Sequence, residues 1–167
     1  VKRSPPDPRL GKTHEHAWPS GVHRSSLVLV HFVIMGCGRV GARLASTLDA
    51  VGHSVAIIDQ DSKAFARLSP DFSGRRVTGV GMDRDCLRQA NIKDAYAFAA
   101  VSSGDNSNII AARVAREVFH VEHVVARIYD PTRAYLYERL GIPTVASVQR
   151  TTESVMRRLL PPDASLI

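Results

Sequence analysis

Between His31 and Asp61 the chain reads HFVIMGCGRVGARLASTLDAVGHSVAIIDQD, and no other stretch restricts its fold as strongly. The uninterrupted apolar run Phe32 to Met35 predicts a buried parallel strand, because a glycine cluster ends it and no polar residue breaks it. Gly36, Gly38 and Gly41 follow with GxGxxG spacing. The first glycine suits a tight turn out of the strand, the second lets backbone approach a pyrophosphate, and the third lets a helix pack closely on the strand. Val40, Leu44 and Leu48 then recur every fourth residue, with Arg39, Arg43, Thr47 and Asp49 between them, so an amphipathic helix is expected whose apolar face carries those three. Its N-terminus, with unpaired N–H groups and the positive dipole end, points at the glycine turn and forms an anion site. A second apolar run, Ser54 to Ile58, ends in Asp59, roughly 20 residues past the glycines, where a carboxylate accepts from ribose hydroxyls.

A chain of 167 residues has room for one domain with a sizeable core. Cys37 and Cys86 match no CxxC or zinc spacing and read as reduced thiols. No segment approaches the roughly 18 consecutive apolar residues of a membrane span, and the N-terminus lacks a secretory pattern, so a cytoplasmic protein without direct membrane insertion is expected. The formal charge is +6, but residues 1–30 hold five cations (Lys2, Arg3, Arg9, Lys12, Arg24) against Asp7 and Glu15. Half the excess therefore belongs to that end, and the remainder is mixed in sign with no basic stripe interleaved with aromatics. Nucleic acid is not an expected partner.

Residues 1–26 hold four of the nine prolines and the only tryptophan, show no hydrophobic period, and are expected to form a disordered leader. Gly11-Lys12-Thr13 resembles the end of a phosphate-binding loop, but Pro6 stands where its first glycine belongs; His14 and His16 lack further metal ligands. Beyond Asp61, a helix over 62–68 capped by Ser62 is expected, then a strand over 75–78, a helix over 83–89 and an alanine-rich, central strand over 96–101. The polar stretch Ser102 to Asn108 precedes a helix whose apolar face is read as Ile110, Val114 and Val118. A fifth strand over 123–128 ends near Arg127. Asp130 caps a helix beginning at Pro131, Gly141 ends it, and a sixth strand covers 144–146. A last helix over 152–160 carries Val155, Met156, Leu159 and Leu160 on one face, an uncovered apolar stripe that marks a contact. The alternation predicts an α/β, Rossmann-like, doubly wound parallel six-stranded sheet with helices on both faces. The ligand belongs beyond the carboxyl ends of the strands.

The motifs VIMGCGRVG, VAIIDQD, GVGMDRDCL, SSGDNSN, VVARIYD and RLGIP together resemble the nucleotide-binding half of the regulator-of-potassium-conductance family, RCK or KTN, and within it the regulatory proteins of Trk-type potassium uptake systems. The resemblance covers about residues 31–160. It implies an RCK N-terminal domain over 27–148, and a crossing helix with a truncated tail over 149–167, since family members commonly continue into a second, smaller lobe. It also implies a nucleotide lying across the strand edge: NAD(H) first, ADP or ATP as alternatives. The matching positions are Gly36, Gly38, Arg39 and Gly41 for the phosphate loop, Asp59 for the ribose and Asp83 for the acid closing the third-strand motif, with the neighbouring Val40 and Gln60 as further candidate binding residues. Ser102, Asp105 and Asn108 match the fourth-strand loop and the DxxN opening the next helix, and Arg127 an arginine that approaches phosphate. Where the family often carries Asp against adenine, this chain has Val80. The implied role is a regulatory subunit of a membrane potassium transporter, assembled as a homodimer or higher homo-oligomer. It would be cytoplasmic, peripheral to the membrane through that partner, and not an enzyme.

Two enzymatic readings share the glycine turn. A nicotinamide-dependent oxidoreductase has the same fingerprint, but no tyrosine here begins a YxxxK motif. A methyltransferase also places an acid on its second strand, yet Gly41 fits a dinucleotide better.

Overall fold

The computed structural model describes residues 28–161. The leader assigned to 1–26, with its Gly11-Lys12-Thr13 and histidine features, lies outside the described residues, as do 162–167.

The elements follow the order β1 (His31–Met35), α1 (Arg39–Ala50), β2 (Ser54–Asp59), β3 (Arg75–Thr78), α2 (Arg84–Gln89), β4 (Ala95–Ala100), α3 (Asp105–Glu117), β5 (His123–Ile128), α4 (Pro131–Arg139), β6 (Thr144–Ala146) and α5 (Ser147–Leu159). Short 3-10 turns cover Ser62–Arg67 and Ile92–Asp94. All six strands pair in parallel, in the order β3-β2-β1-β4-β5-β6. Chain order reverses between β1 and β4, which is where such sheets open a crevice for ligands.

Strand residues alternate between two buried faces, the arrangement that forces parallel strands to read as continuous apolar runs. Val33, Met35, Ala56, Ile58, Phe98 and Ala100 pack with Leu87, Ala90, Ala111 and Ala115 on the α2/α3 side. Ile34, Val55, Ile57 and Ala99 pack with Ala42, Ala45, Ala64 and Leu68 on the α1 side. A third cluster joins Ile109 and Ala112 of α3 to Ala126, Ile128, Ala134 and Ile142. Alanine-rich β4 is central, beside β1.

Several local expectations are corrected. The segment after Asp61 is a 3-10 turn, and its cap is Asp61, whose Oδ1 accepts from the Lys63 N–H at 2.9 Å, rather than Ser62. The sheet-facing side of α1 is Gly41, Ala42 and Ala45; Val40 is exposed, and Leu44 and Leu48 flank the contact. On α3 the buried side is Asn108, Ile109, Ala111, Ala112 and Ala115, while Ile110 and Val118 face outward. In both helices the smallest side chains face the sheet, because they let the helix axis come closest; counting only large apolar residues finds the neighbouring stripe. β4 lies one residue earlier than expected, α3 begins at Asp105 so that most of the polar stretch is its first turn, and α5 begins at Ser147.

Candidate nucleotide-binding site

A cleft of about 920 Å³ opens at the carboxyl edge, where β1 and β4 diverge. Its size is that of a small-molecule site. Gly36, Gly38, Arg39, Val40, Asp59, Gln60, Ser102 and Arg127, eight of the twelve candidate residues, line it.

The three glycines of the turn answer to different demands. Gly36 has φ +101°, and a Cβ there would lie 2.7 Å from the backbone of Ser102. A Cβ on Gly41 would lie 1.8 Å from the Gly36 carbonyl oxygen, so only glycine lets α1 start this close to β1. Gly38 differs: its φ of −75° suits any residue, and a Cβ would meet no protein atom within 4 Å. It would project into open space at the N-terminus of α1, an end that no side chain caps and whose first turn holds no acid. The helix dipole and its uncommitted N–H groups face the cleft there, with Arg39 alongside.

Asp59 ties the end of β2 to that turn. Its Oδ2 accepts from the Cys37 N–H at 2.6 Å and its Oδ1 from the Asp61 N–H at 2.9 Å. A carboxylate has about four acceptor positions, so two remain for hydroxyl donors. Cys37, buried between the glycines, points away and donates its S–H to the Ala64 carbonyl at 3.3 Å. Burial, reinforced by the Asp59 charge and opposed by Arg67 and Arg76, pushes its thiol up to about 11, so it stays neutral and unreactive at ordinary pH.

Opposite, Arg127 at the end of β5 donates from Nη2 to the Ser102 carbonyl at 2.7 Å, and its guanidinium carbon stands 4.6 Å from the centre of the Tyr129 ring. Its Nε–H is buried and has no partner among the described residues, a donor left over beside the cleft.

The other four candidates lie outside the lining. Gly41 lies within α1, on the side that faces the sheet. Asn108 is fully buried: its Oδ1 accepts from the Ser102 N–H (2.9 Å) and Oγ–H (2.7 Å), and its Nδ2 donates to the carbonyls of Ser102 (3.0 Å) and Arg127 (2.8 Å). With every hydrogen-bonding position used, it clamps the end of β4 to the end of β5 and holds Ser102 and Arg127 in place. Asp105 accepts from the Tyr129 and Asp130 N–H groups at 2.9 and 3.3 Å, fixing the loop after β5. Asp83 caps α2, accepting from the Asp85 and Cys86 N–H groups at 2.7 and 3.2 Å.

The TrkA-N domain model matches residues 32–148. The chain belongs to the TrkA-N domain family. The Trk system potassium uptake protein TrkA of Streptomyces coelicolor is 65% identical over 135 residues, 81% of this chain and 60% of that protein. This chain thus spans about 60% of the length of that curated relative. Two solved structures share the fold. The Kef CTD of Shewanella denitrificans in AMP-bound form has a TM-score of 0.65 at 23% identity, covering 77% of this chain and 79% of that one. The GsuK channel bound to NAD has a TM-score of 0.58 at 17% identity, covering 70% and 21%. Family model and relative agree with the resemblance to Trk-type RCK regulatory domains.

In this TrkA-N domain the cleft also has walls that the sequence did not mark. Met35 and Ile58 close its floor at the strand ends and Tyr129 follows β5, while Gly81 and Met82 belong to the GVGMDRDCL motif after β3. Ser147, Val148, Thr151 and Thr152 come from the first turns of α5, which the pattern of large apolar residues placed five residues too late. The one available signal was the length of the polar and β-branched run before Val155, which continues the helix period back to Ser147.

Proposed function

We propose that this chain is the nucleotide-sensing module of a regulatory subunit for a membrane potassium transporter, with NAD(H) as its preferred ligand and ADP or ATP as the alternatives. The observation that carries this reading is Gly38: the protein's own packing leaves room for a side chain there, so the glycine serves something that enters the cleft. Backbone N–H groups at that helix start and the charges of Arg39 and Arg127, both in the cleft lining, suit a pyrophosphate, and the remaining acceptor positions of Asp59 suit ribose hydroxyls. The Trk potassium uptake relative supplies the transport context, and the two nucleotide-bound neighbours supply a precedent for the ligand class. The ligand acts as an effector rather than a substrate, and the protein works at the cytoplasmic face through its transporter partner, as a homodimer or larger homo-oligomer. No helix among the described residues is long and apolar enough to cross a membrane, so attachment through a partner is compatible with these elements.

Calorimetric titration of NAD, NADH, ADP, ATP and NADPH tests the assignment. A 2′-phosphate would set two negative charges beside Asp59, and the next residues, Gln60, Asp61 and Ser62, offer no cation. NADPH is expected to bind about 2–4 kcal/mol more weakly than NADH, and Asp59→Ala to narrow that gap. NADPH binding tightest to wild type would overturn the role given to Asp59.

A further inference from the structure

A second hollow, an open groove of about 540 Å³, lies between α1 and the segment 67–69 at the end of the 3-10 turn. Ala42 and Leu68 form its apolar floor, and its walls carry Arg39, Arg43 and Arg67 with the hydroxyls of Ser46 and Ser69. Arg39 and Arg43 stand one helical turn apart on α1, and Arg67 ends the 3-10 turn beside it. No carboxylate lines the cavity, and none pairs with these three arginines within ion-pair distance among the described residues.

This arrangement works against the stability of the empty protein. Like charges four residues apart on a helix repel, and cations in the first two turns oppose the helix dipole. α1 has no acid in its first turn to relieve either effect. The hydroxyls are set as donors. Ser46 Oγ accepts from the Ser69 N–H at 3.0 Å and Ser69 Oγ from the Asp71 N–H at 3.4 Å, which leaves both O–H protons free to point inward. Three guanidiniums and two hydroxyl donors around a small-molecule-sized hollow match a compact, multiply charged oxyanion.

We propose that this cavity is a second anion site, which takes a phosphate group carrying at least two charges between Arg39, Arg43 and Arg67. The phosphate comes either from a separate phosphorylated small molecule or from the tail of a nucleotide held in the main cleft, since Arg39 lines both hollows. The site itself does not depend on the nucleotide reading, because Arg43 and Arg67 take no part in the main cleft.

Calorimetry at constant ionic strength separates these cases. Pyrophosphate, AMP, ATP and a glutamate-rich peptide are titrated into wild type, into Arg43→Gln/Arg67→Gln and into Arg43→Lys/Arg67→Lys, with the thermal midpoint of each variant measured to confirm folding. Pyrophosphate affinity is expected to fall about tenfold or more in the Gln variant, as the loss of charge-assisted hydrogen bonds implies, and to recover in part in the Lys variant. AMP affinity should change less than about twofold, since charge-assisted contacts at these two arginines are absent from the cleft. If pyrophosphate binds too weakly to measure but ATP loses affinity in the Gln variant, the anion is the tail of the nucleotide. Phosphate affinities equal in wild type and the Gln variant, or binding of the acidic peptide alone, would overturn the proposal.

Discussion

At the scale of single residues, Gly38 and Gly41 make opposite predictions although both belong to one GxGxxG turn. Gly41→Ala drives a methyl group into the Gly36 carbonyl, so α1 must move off β1, and a loss of about 1–3 kcal/mol in urea unfolding is expected, the usual cost of overpacking. Gly38→Ala meets no protein atom at an ordinary φ, and its stability should stay within about 1 kcal/mol of wild type, the size of a helix-cap change. Its nucleotide affinity, in contrast, should fall by about tenfold or more, because the methyl group stands where a phosphate must approach the helix start. A Gly38→Ala protein that binds NAD as tightly as wild type would remove the ligand from this turn. The spacing already divided them, Gly38 for the approach of a pyrophosphate and Gly41 for close helix packing, and the structure adds the Gly36 carbonyl as the atom that a side chain at 41 would strike. That division depends on which backbone lies opposite each Cα.

At the scale of elements, the seams of α1 and α3 are mostly glycine and alanine, with Asn108 and Ile109 among them, and this is where reading by large apolar residues failed. A local pattern records which side chains are apolar, not how near the neighbouring sheet comes. The strands were more legible, with β3, β5 and β6 matching residue for residue, since the turn and cap residues that bound a strand are adjacent in sequence, even at the edge strand β3 where only Val77 is buried. α5 is the element with most left unpartnered: none of its residues is buried, and Val155, Met156, Leu159 and Leu160 are exposed along it. We expect this stripe to be a homodimer contact. Changing Leu159 and Leu160 to Ser should shift the protein toward monomer in sedimentation at tens of micromolar, a concentration well above ordinary dimer dissociation constants. A wild type that is monomeric there would remove the idea. Because the first turns of α5 line the cleft as far as Thr152, a partner on the stripe that begins at Val155 would stand about one turn of helix from the cleft wall.

At the scale of the whole molecule, the cleft is assembled from the ends of β1, β2, β4 and β5 and the start of α5, so its occupant binds only the folded chain. NAD at about one hundred times its dissociation constant should stabilise the protein by about 2.7 kcal/mol and raise the thermal midpoint by about 5–11 °C in scanning calorimetry. No shift at that excess would mean that binding does not require the assembled edge. The sequence by itself determined the alternation of strand and helix, hence the parallel sheet, and placed Gly36, Asp59, Ser102 and Arg127 at strand ends that such a sheet brings to one edge. These follow from nearest-neighbour chemistry: apolar runs, turn residues and caps act over a few positions. Only the tertiary structure decided that Asn108, Asp105 and Asp83 hold the frame rather than line the cleft. It alone brought the start of α5 to the same cleft as a turn more than one hundred residues earlier and set three arginines along a second, open hollow. Whether a polar side chain faces a ligand or a backbone group is set by the atoms across from it, and those come from distant parts of the chain.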